Sequence, residues 1–261
     1  MGRVQPQVTD GNEALRFLIL AAGKGERLRP LTDTIPKSLL QLNETGKTIL
    51  DQQLQTFRKH AKPSDEIIVT VGYRSTQIIQ HIERLGYENV KVCFNPLFAN
   101  SNNLVSLWLT LRDIEDDVVI INGDNVVTQE GIDALMDFDS KDAIAITRKI
   151  EFNEDDMKAL VQENRLVDVG KKIPEYNAES VGFMKFSAAT LKILKETIDQ
   201  SLQEPGGLDY FYLKAICDLA RSQRLEVVEI SSSQWREVDF HPDRIEMSRW
   251  WSAKTQGLIG E

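Results

Sequence analysis

The sequence has little cysteine and little histidine. Of its 261 residues only two are cysteines, Cys93 and Cys217, and they form no CxxC pair. Neither a disulfide framework nor a zinc knuckle is indicated, and we expect both thiols to lie in the core. The three histidines, His60, His81 and His241, show neither catalytic-triad nor metal-binding spacing. We expect them to have packing or surface roles.

Long apolar segments and an excess of positive charge are also missing. No apolar run approaches the roughly 20 residues that a membrane-spanning helix needs. The first 17 residues, MGRVQPQVTDGNEALRF, lack the apolar core of a signal peptide. The formal net charge is -9 at pH 7, so we expect no general surface for nucleic acid or for an anionic membrane. We therefore expect a cytoplasmic protein that attracts any anion locally.

What the chain does have is a regular alternation of short β-rich runs with amphipathic segments between residues 17 and 147. Such alternation is typical of βαβ units and of a sheet covered by helices on both faces. We predict an α/β fold, a Rossmann-like three-layer sandwich with a mixed, mostly parallel sheet. We divide the chain into a flexible leader (1–15), a core (16–150) and an extension of the same domain that ends in a helix (151–261).

Residues 17–40, FLILAAGKGERLRPLTDTIPKSLL, begin as a buried strand and continue into a loop rich in glycine and positive charge. Loops that follow strands of a parallel sheet lie at its carboxyl edge, where ligands bind. Glycines there let backbone N–H groups approach a phosphate chain. The loop is therefore predicted to bind a polyanion. The alternative is a solvated turn with incidental charge.

Two other phosphate-binding motifs fit this region poorly. The dinucleotide-binding pattern GxGxxG needs a third glycine, and the chain has Leu28 at that position. A Walker loop ending in Gly46-Lys47-Thr48 would need a glycine at position 41, which is Gln41. Neither motif is therefore predicted.

The segment resembles the signature LxAAGxGxRLxPLTxxxPKxLL of the nucleotidyltransferase superfamily, which makes nucleoside diphosphate sugars and alcohols. This chain reads LILAAGKGERLRPLTDTIPKSLL. The resemblance implies an enzyme in which the glycine loop and Arg27 hold a nucleoside triphosphate and Lys37 bridges the reacting phosphates. The loop residues that it assigns to nucleotide binding are Ala21, Ala22, Gly23 and Gly25.

Two aspartates lie near the ends of predicted strands. Asp124 follows the apolar run VVIING, and Asp239 lies in WREVDF, much later in the chain. Two carboxylates that converge from different strands are a common way to hold a hard divalent cation beside a triphosphate. In the resembling family these positions correspond to Mg²⁺ ligands. The alternative for each is a turn or a helix cap, and Asp239 indeed precedes His241 and Pro242.

The implied reaction is nucleotidyl transfer, in which a phosphate oxygen of the acceptor attacks the α-phosphorus and pyrophosphate leaves. The second pKa of a phosphate monoester is about 6, so the nucleophile is already ionised and needs no general base. Cations are needed instead, because two anions must be brought together. The resemblance points to Lys171 as the ligand of the acceptor phosphate, with Lys172 as an alternate. A solvated Lys-Lys pair is the other interpretation.

The choice of substrates is indicated by residues 94–109, FNPLFANSNNLVSLWL. This segment replaces the GTA-like one of sugar pyrophosphorylases and resembles the branch that contains phosphocholine cytidylyltransferase and its relatives for inositol phosphate or 2-aminoethylphosphonate. The resemblance implies CTP and a small, phosphocholine-like phosphorylated alcohol, amine or phosphonate. Gly72, Tyr73 and Asn103 are candidate neighbours of base and ribose, since asparagine offers both a donor and an acceptor. Loop turns and a helix cap are the alternative.

An acceptor with an ammonium group would need aromatic faces and a carboxylate. Tyr210 and Trp235, with Glu179 as the carboxylate, are our candidate acceptor-binding residues. The alternative is that the aromatic side chains pack in the hydrophobic core. Their neighbours Asp209, Phe211 and Tyr212 are further candidates.

Two rival functions remain open at this point. One is a sugar 1-phosphate nucleotidyltransferase, against which the missing GTA-like segment counts. The other is a regulatory subunit that binds nucleotide without turnover, against which the presence of Lys37, Asp124 and Asp239 counts. The aromatic pair at Trp250 and Trp251 suggests a homodimer contact, or else packing against the domain.

Overall fold

A large sheet flanked by helices organises the chain in the computed structural model, which describes residues 14–43, 46–239, 246 and 248–253. Residues 1–13 of the predicted leader lie outside the described residues. The helices are α1 (Ile49–His60), α2 (Ser75–Leu85), α3 (Asn103–Leu111), α4 (Gln129–Met136), α5 (Ala188–Gln203) and α6 (Leu213–Ser222). The strands are β1 (Leu15–Ala21), β2 (Glu66–Val71), β3 (Val90–Phe94), β4 (Asp117–Asn122), β5 (Asn125–Val127), β6 (Ala143–Thr147), β7 (Lys158–Gln162), β8 (Arg165–Gly170), β9 (Ala178–Phe186), β10 (Glu226–Glu229) and β11 (Trp235–Glu237).

The main sheet has the strand order β3-β2-β1-β4-β9-β6-β10-β8-β7. Strands β3, β2, β1 and β4 are parallel, as predicted. Beyond them, β9 is antiparallel to both of its neighbours, β4 and β6, and β8 is antiparallel to β10 and β7. The sheet is therefore mixed, and the expectation of a mostly parallel sheet is not confirmed. Strands β5 and β11 form a separate antiparallel pair.

A tight hairpin between β7 and β8 forms part of the antiparallel region. Its turn is formed by Glu163 and Asn164, which both have positive φ, at 49° and 58°. Two consecutive residues of this kind match the right-handed twist of the flanking strands. The chain then returns as β9, which inserts between β4 and β6.

The core explains why β1 is a continuous apolar run. Leu18 belongs to a buried cluster with side chains of α3, α5 and α6, whereas Phe17 and Ile19 belong to another cluster with α1, α2 and α4. Because alternate strand residues point to opposite faces of a sheet, both faces of β1 are covered. Within the described residues, no helix is long and apolar enough to cross a membrane.

The cysteines and histidines have local roles. Cys217 is buried and Cys93 is half-buried on β3. His60 contacts Asp133 at 2.9 Å and His81 contacts Asp51 at 2.7 Å. These contacts are packing roles of the expected kind. His241 lies outside the described residues.

Candidate active site

A cleft of about 920 Å³ opens at the carboxyl ends of β1, β4 and β6. The antiparallel strand β9 brings its first residues to the same edge, where Glu179 pairs with Thr147 at the end of β6. Side chains from the predicted core (16–150) and from the predicted extension (151–261) therefore face one space, as expected for a ligand site at the carboxyl edge of a sheet.

The loop after β1 closes on the segment that carries Lys37. Gly25 has a φ of 62°, in the left-handed region that glycine tolerates. A Cβ at this position would lie 3.1 Å from Thr32 Cγ2 and 3.2 Å from Lys37 Cβ. The Thr32 hydroxyl donates to the Gly25 carbonyl at 2.8 Å. The predicted loop residues that line the cleft are Ala22, Gly23, Gly25 and Arg27.

Three carboxylates gather around Lys37. Its Nζ lies 2.7 Å from Asp124 Oδ2 and 2.9 Å from Asp239 Oδ1. Carboxylate oxygens of Asp124, Glu237 and Asp239 all lie within 4.8 Å of one another. We call these four residues the Lys37 cluster. The structure thus brings together the lysine and both aspartates that the sequence singles out.

Strand pairing causes this convergence. Asp124 lies in the turn between β4 and β5, and β5 pairs with β11 so that Asn125 lies opposite Glu237. The N–H of Val238 donates to the Asp124 carbonyl at 3.1 Å, which sets Asp239 beside Asp124. Residues two apart in an extended chain face the same side, so Glu237 joins Asp239.

Burial and neighbouring charges together shift the pKa values of three residues in the Lys37 cluster. At Lys37, burial lowers the pKa, but the carboxylates of Asp124 and Asp239 outweigh it and raise the pKa above its ordinary value. At Glu237, burial and the charge of Asp124 raise the pKa to about 8. At Asp239, burial raises the pKa, but Lys37 and Arg27 outweigh it and lower the pKa.

The composition of the cluster fits a hard divalent cation. Its donors are carboxylate oxygens, which Mg²⁺ prefers. Asp124 Oδ1 is buried and has no hydrogen-bond partner among the described residues. Such an oxygen is costly unless a cation or water satisfies it. The acidic cluster is therefore a candidate metal site, with Glu237 as an acid beyond the two predicted ones.

Arg27 and Lys171 share one carboxylate across the cleft. Arg27 Nη2 lies 3.1 Å from Asp155 Oδ1, and Lys171 Nζ lies 3.2 Å from the same oxygen. Arg27 also forms an ion pair with Asp239. Two cations that the sequence assigns to phosphates of different substrates are thus within reach of a single anion.

A second, partly buried ionic cluster lines the cleft. Lys149 Nζ lies 2.6 Å from Asp156 Oδ2 and 2.7 Å from Glu179 Oε2. Glu179 is only 5% exposed. Burial raises its pKa to about 7, although Lys149 acts in the opposite direction. We call these three residues the Lys149 cluster.

The two tyrosines expected near an ammonium group are engaged elsewhere. Tyr210 does not line the cleft, and its hydroxyl donates to Glu204 Oε2 at 3.1 Å. Tyr212 is 1% exposed, and its hydroxyl donates to Asn122 Oδ1 at 2.9 Å. Burial is the main cause of the raised pKa of Tyr212. Tyr212 therefore supports the end of β4.

The other two aromatic candidates line the cleft but do not enclose it. Trp235 is packed in the core at 9% exposure. Phe211 is 39% exposed, and Lys171 Nζ lies 5.3 Å from the centroid of its ring. The described residues therefore do not form the aromatic enclosure that the sequence suggests.

Gly72 and Tyr73 lie behind the glycine loop instead of lining the cleft. The Tyr73 N–H donates to the Ala22 carbonyl at 3.0 Å, and its hydroxyl donates to the Thr32 carbonyl at 2.8 Å. A Cβ at position 72 would lie 2.8 Å from the Ala22 carbonyl oxygen. Ala21, the last residue of β1, is likewise buried outside the cleft lining. These residues support the loop.

Asn103 begins α3 and lines the cleft. Its side-chain oxygen accepts the N–H of Tyr212 at 2.8 Å. The N–H of Asn102 donates to the Leu208 carbonyl at 2.7 Å. The two asparagines thus tie the start of α3 to the segment before α6 at the rim of the cleft.

Sequence reasoning missed four acidic or basic residues of the cleft. Glu237 had a usable signal, because it lies two residues before Asp239 at a strand end. The others lie in or beside the connection between β6 and β7, where no motif or periodicity marks them. The missed residues are Lys149, Asp155, Asp156 and Glu237.

Comparison with known proteins agrees with this geometry. The sequence matches the nucleotidyl transferase family over residues 16–157, more than half of the chain. The chain belongs to the nucleotidyl transferase family. The matched span contains the glycine loop, Lys37 and Asp124, whereas Asp239 and Lys171 lie beyond it.

Two curated relatives match different lengths of this nucleotidyl transferase. A choline-phosphate cytidylyltransferase of Streptococcus pneumoniae is 36% identical over 106 residues, which are 41% of this chain and 43% of the relative. A bifunctional IPC transferase and DIPP synthase of Rubrobacter xylanophilus is 28% identical over 239 residues, which are 90% of this chain and 51% of the relative. The chain thus matches about half or less of each.

The fold is similar to a solved structure of CTP:phosphocholine cytidylyltransferase from Streptococcus pneumoniae. The TM-score is 0.74 at 23% identity, over 90% of this chain and 98% of the other. At that identity the likeness establishes the fold alone. A UTP–glucose-1-phosphate uridylyltransferase of Haloferax volcanii is also similar, at 26% identity over 89% of this chain and 94% of the relative.

Proposed function

We propose that the chain catalyses Mg²⁺-dependent cytidylyl transfer from CTP to a small phosphorylated alcohol, amine or phosphonate, with release of pyrophosphate. The observation that carries the proposal is the convergence of Arg27, Lys37, Asp124 and Asp239 at the carboxyl edge of the sheet. Phosphocholine is one acceptor of this class. Residues 16–150 would hold the nucleotide, and residues 151–261 would contribute most of the acceptor side.

The cations of the chain serve to bring two anionic substrates together. In this proposal Gly23, Gly25 and Arg27 hold the triphosphate, Lys37 contacts the reacting phosphates, and Lys171 holds the acceptor phosphate. Because a phosphate monoester with a second pKa of about 6 is already ionised at neutral pH, the chain need not supply a base. Preorganised positive charge then stabilises the charge that develops on the transferred phosphate.

The acidic part of the Lys37 cluster would hold the metal ion. Asp124 and Asp239 are the predicted ligands, and Glu237 is close enough to add a third carboxylate. When bound, Mg²⁺ neutralises phosphate oxygens and polarises the phosphorus centre. Lys37, which contacts both aspartates, would place its ammonium group beside a phosphate at the same edge.

The preference for CTP rests on similarity. Of the relatives reported above, the one with the highest identity is named a choline-phosphate cytidylyltransferase. Its match spans only part of the chain. Asn103 lies at the rim of the cleft. This position supports its predicted role beside the base and ribose. Gly72, Tyr73 and Ala21 would act from behind the loop.

A pyrophosphate-release screen tests the proposal. The four common nucleoside triphosphates are crossed with phosphocholine, 2-aminoethylphosphonate, inositol 1-phosphate and glucose 1-phosphate, each with Mg²⁺ and with EDTA. We expect Mg²⁺-dependent release with CTP and one of the first three acceptors. Release from CTP that is equally fast in EDTA would contradict the metal assignment.

The same screen decides between the alternatives. Similarity to a glucose-1-phosphate uridylyltransferase favours a sugar phosphate as the second candidate acceptor. Release with glucose 1-phosphate and UTP, but not with CTP, would support that candidate. Nucleotide binding without release from any pair would support a regulatory subunit instead.

A further inference from the structure

The Lys149 cluster places two carboxylates and one ammonium group on the wall of the cleft. The formal charge of Lys149, Asp156 and Glu179 together is negative by one. Their side chains are 27%, 12% and 7% exposed, so solvent screens them only in part. The N–H of Asn153 donates to Asp156 Oδ2 at 2.6 Å, which fixes that carboxylate. A partly buried site with surplus negative charge favours an additional cation.

The raised pKa of Glu179 has the same physical origin. Burial is its main cause, and the nearby Asp156 carboxylate adds to it against the opposing effect of Lys149. One lysine therefore does not fully compensate the two acids. A second ammonium group in contact with them would lower the free energy of the ionised pair.

The described residues of the cleft do not form an aromatic enclosure for a quaternary ammonium, because Phe98, one ring of the lining, lies against Tyr73. Of the candidates, Tyr210 lies outside the lining, Tyr212 and Trp235 are buried, and Phe211 already faces the Lys171 ammonium. Two further aromatic rings nearby are also paired with lysines. Lys149 lies 5.4 Å from the ring centroid of Phe152, and Lys158 lies 5.6 Å from that of Tyr176.

These two features distinguish between kinds of ammonium group. A quaternary ammonium has no N–H group and is recognised by several aromatic faces. A primary ammonium has three donors and is recognised by carboxylate oxygens through charge-assisted hydrogen bonds. The wall of this cleft offers carboxylates without an aromatic enclosure.

We propose that the Lys149 cluster selects an acceptor whose head group is a protonated amine with N–H donors, in preference to a quaternary ammonium. Asp156 and Glu179 accept hydrogen bonds from the amine, and Lys149 keeps the two carboxylates in place. This inference rests on the proposed function, because it concerns the acceptor of the same reaction.

The matched acceptors for the test are phosphoethanolamine and phosphocholine, which differ only in three N-methyl groups. With CTP and Mg²⁺, we expect kcat/KM for phosphoethanolamine to exceed that for phosphocholine by about tenfold or more, since a site built for donors rejects a group that lacks them. Glu179→Gln should remove most of this preference while leaving the KM for CTP unchanged. Glu175→Gln, an exposed residue four positions earlier, is the control and should keep the preference.

Binding is measured in parallel by calorimetry with CTP in EDTA, so that the result does not depend on turnover. Tighter binding of phosphoethanolamine that is lost in Glu179→Gln supports the inference even if no pyrophosphate is released, in which case the proposed function fails alone. Equal or better use of phosphocholine overturns the inference while the proposed function stands. Preference for inositol 1-phosphate, or equal behaviour of the two Glu→Gln variants, or no binding of either amine, also overturns it.

Discussion

The Lys37 cluster and the Lys149 cluster are both lysines held by carboxylates, yet their surroundings differ. The first is assembled from loops at the ends of β1, β4 and β11, and its acids lie within 4.8 Å of one another. The second is assembled from the connection after β6 and the start of β9. Three acids within such a distance suit a doubly charged ion, whereas two acids around one lysine suit a singly charged group.

This difference teaches that one local arrangement can serve two purposes within one cleft. Around Lys37 the surplus of acid fits the metal that a triphosphate needs. Around Lys149 the smaller surplus fits the head group of an acceptor. Each of the following predictions changes one residue of the cleft and measures turnover, stability or binding. The results distinguish the roles of the two clusters.

The largest effect is expected from Asp124→Asn. The change removes a charged oxygen ligand from the Lys37 cluster. We expect turnover to fall about 10³-fold or more with the fold intact, because the proposed metal ion would be held less well and would neutralise less phosphate charge. Pyrophosphate release with Mg²⁺ as the sole metal measures this. Asp113→Asn, at an exposed carboxylate, is the control. Near-normal turnover in Asp124→Asn would remove Asp124 from its assigned role.

The second effect is expected from Lys37→Met. Turnover should fall about 10²- to 10³-fold, the usual cost of losing one preorganised charge partner. In EDTA the free energy of unfolding should also fall, because the carboxylates lose their internal cation, and added Mg²⁺ should recover part of it. Urea denaturation with and without Mg²⁺ measures this. The exposed Lys59→Met variant is the control, and its free energy of unfolding should match that of wild type with and without Mg²⁺. If Lys37→Met also matches wild type under both conditions, the ion pairs of Lys37 do not stabilise the fold.

The third effect concerns the pH dependence of stability at the Lys149 cluster. The pKa of Glu179 is raised from 4.5 to about 7 in the folded protein, so its contribution to stability is present below pH 4.5 and is lost as the pH rises through about 7. Glu179→Gln lacks this titration. Between pH 5.5 and 8.5 we expect wild type to lose about 1–2 kcal/mol relative to the variant. Denaturation curves at each pH give the free energy of unfolding of both proteins. If the two free energies change in parallel across this range, Glu179 does not titrate as stated.

The smallest effect is expected from Asp155→Asn, at the carboxylate between Arg27 and Lys171. Because the side chain is about half exposed, its ion pairs are weak, and their removal should tighten the binding of inorganic pyrophosphate only about two- to fivefold. Calorimetry with Mg²⁺ and pyrophosphate measures the change. Weaker binding in the variant would mean that Asp155 supports the phosphate site instead of competing with it. Glu154→Gln, an exposed neighbour, is the control.

Part of the Lys37 cluster could be predicted from strand direction, and the rest from the resemblance. Asp124 follows a buried strand, β4, whose parallel neighbour β1 ends at the same edge, whereas Lys37 and Asp239 were singled out by the family pattern. Strand ends in a parallel sheet share an edge whatever the loop details are. Glu237 could have been added by the same reasoning, from its two-residue offset to Asp239.

The acceptor side could not be predicted in the same way. Tyr210, Phe211 and Tyr212 are consecutive, yet the first bonds to Glu204, the second faces the cleft and the third is buried. They lie where the chain passes from a short helical turn into α6, so neither a two-residue nor a helical period applies. Lys149 lies in a loop without regular structure. Its partners are known only once β9 is placed against β6.

The place of β9 between β4 and β6 could not be predicted, because local sequence patterns indicate strands but not which strands become neighbours. The parallel strands before it were predicted, since their alternation with helices continues without interruption from β1 to β4.

Strand β9 has a consequence for how such a cleft can diverge. Gly182, with a φ of 70°, lets the middle of β9 approach Asn122 at the end of β4 and Asn125 at the start of β5, whereas Glu179, three residues earlier, belongs to the Lys149 cluster. One strand thus spans from the end of β4 to the Lys149 cluster. Under the proposed function, changes in the loops that flank β7 and β8 would alter the head group that the cleft accepts, while β9 would keep its position beside β4.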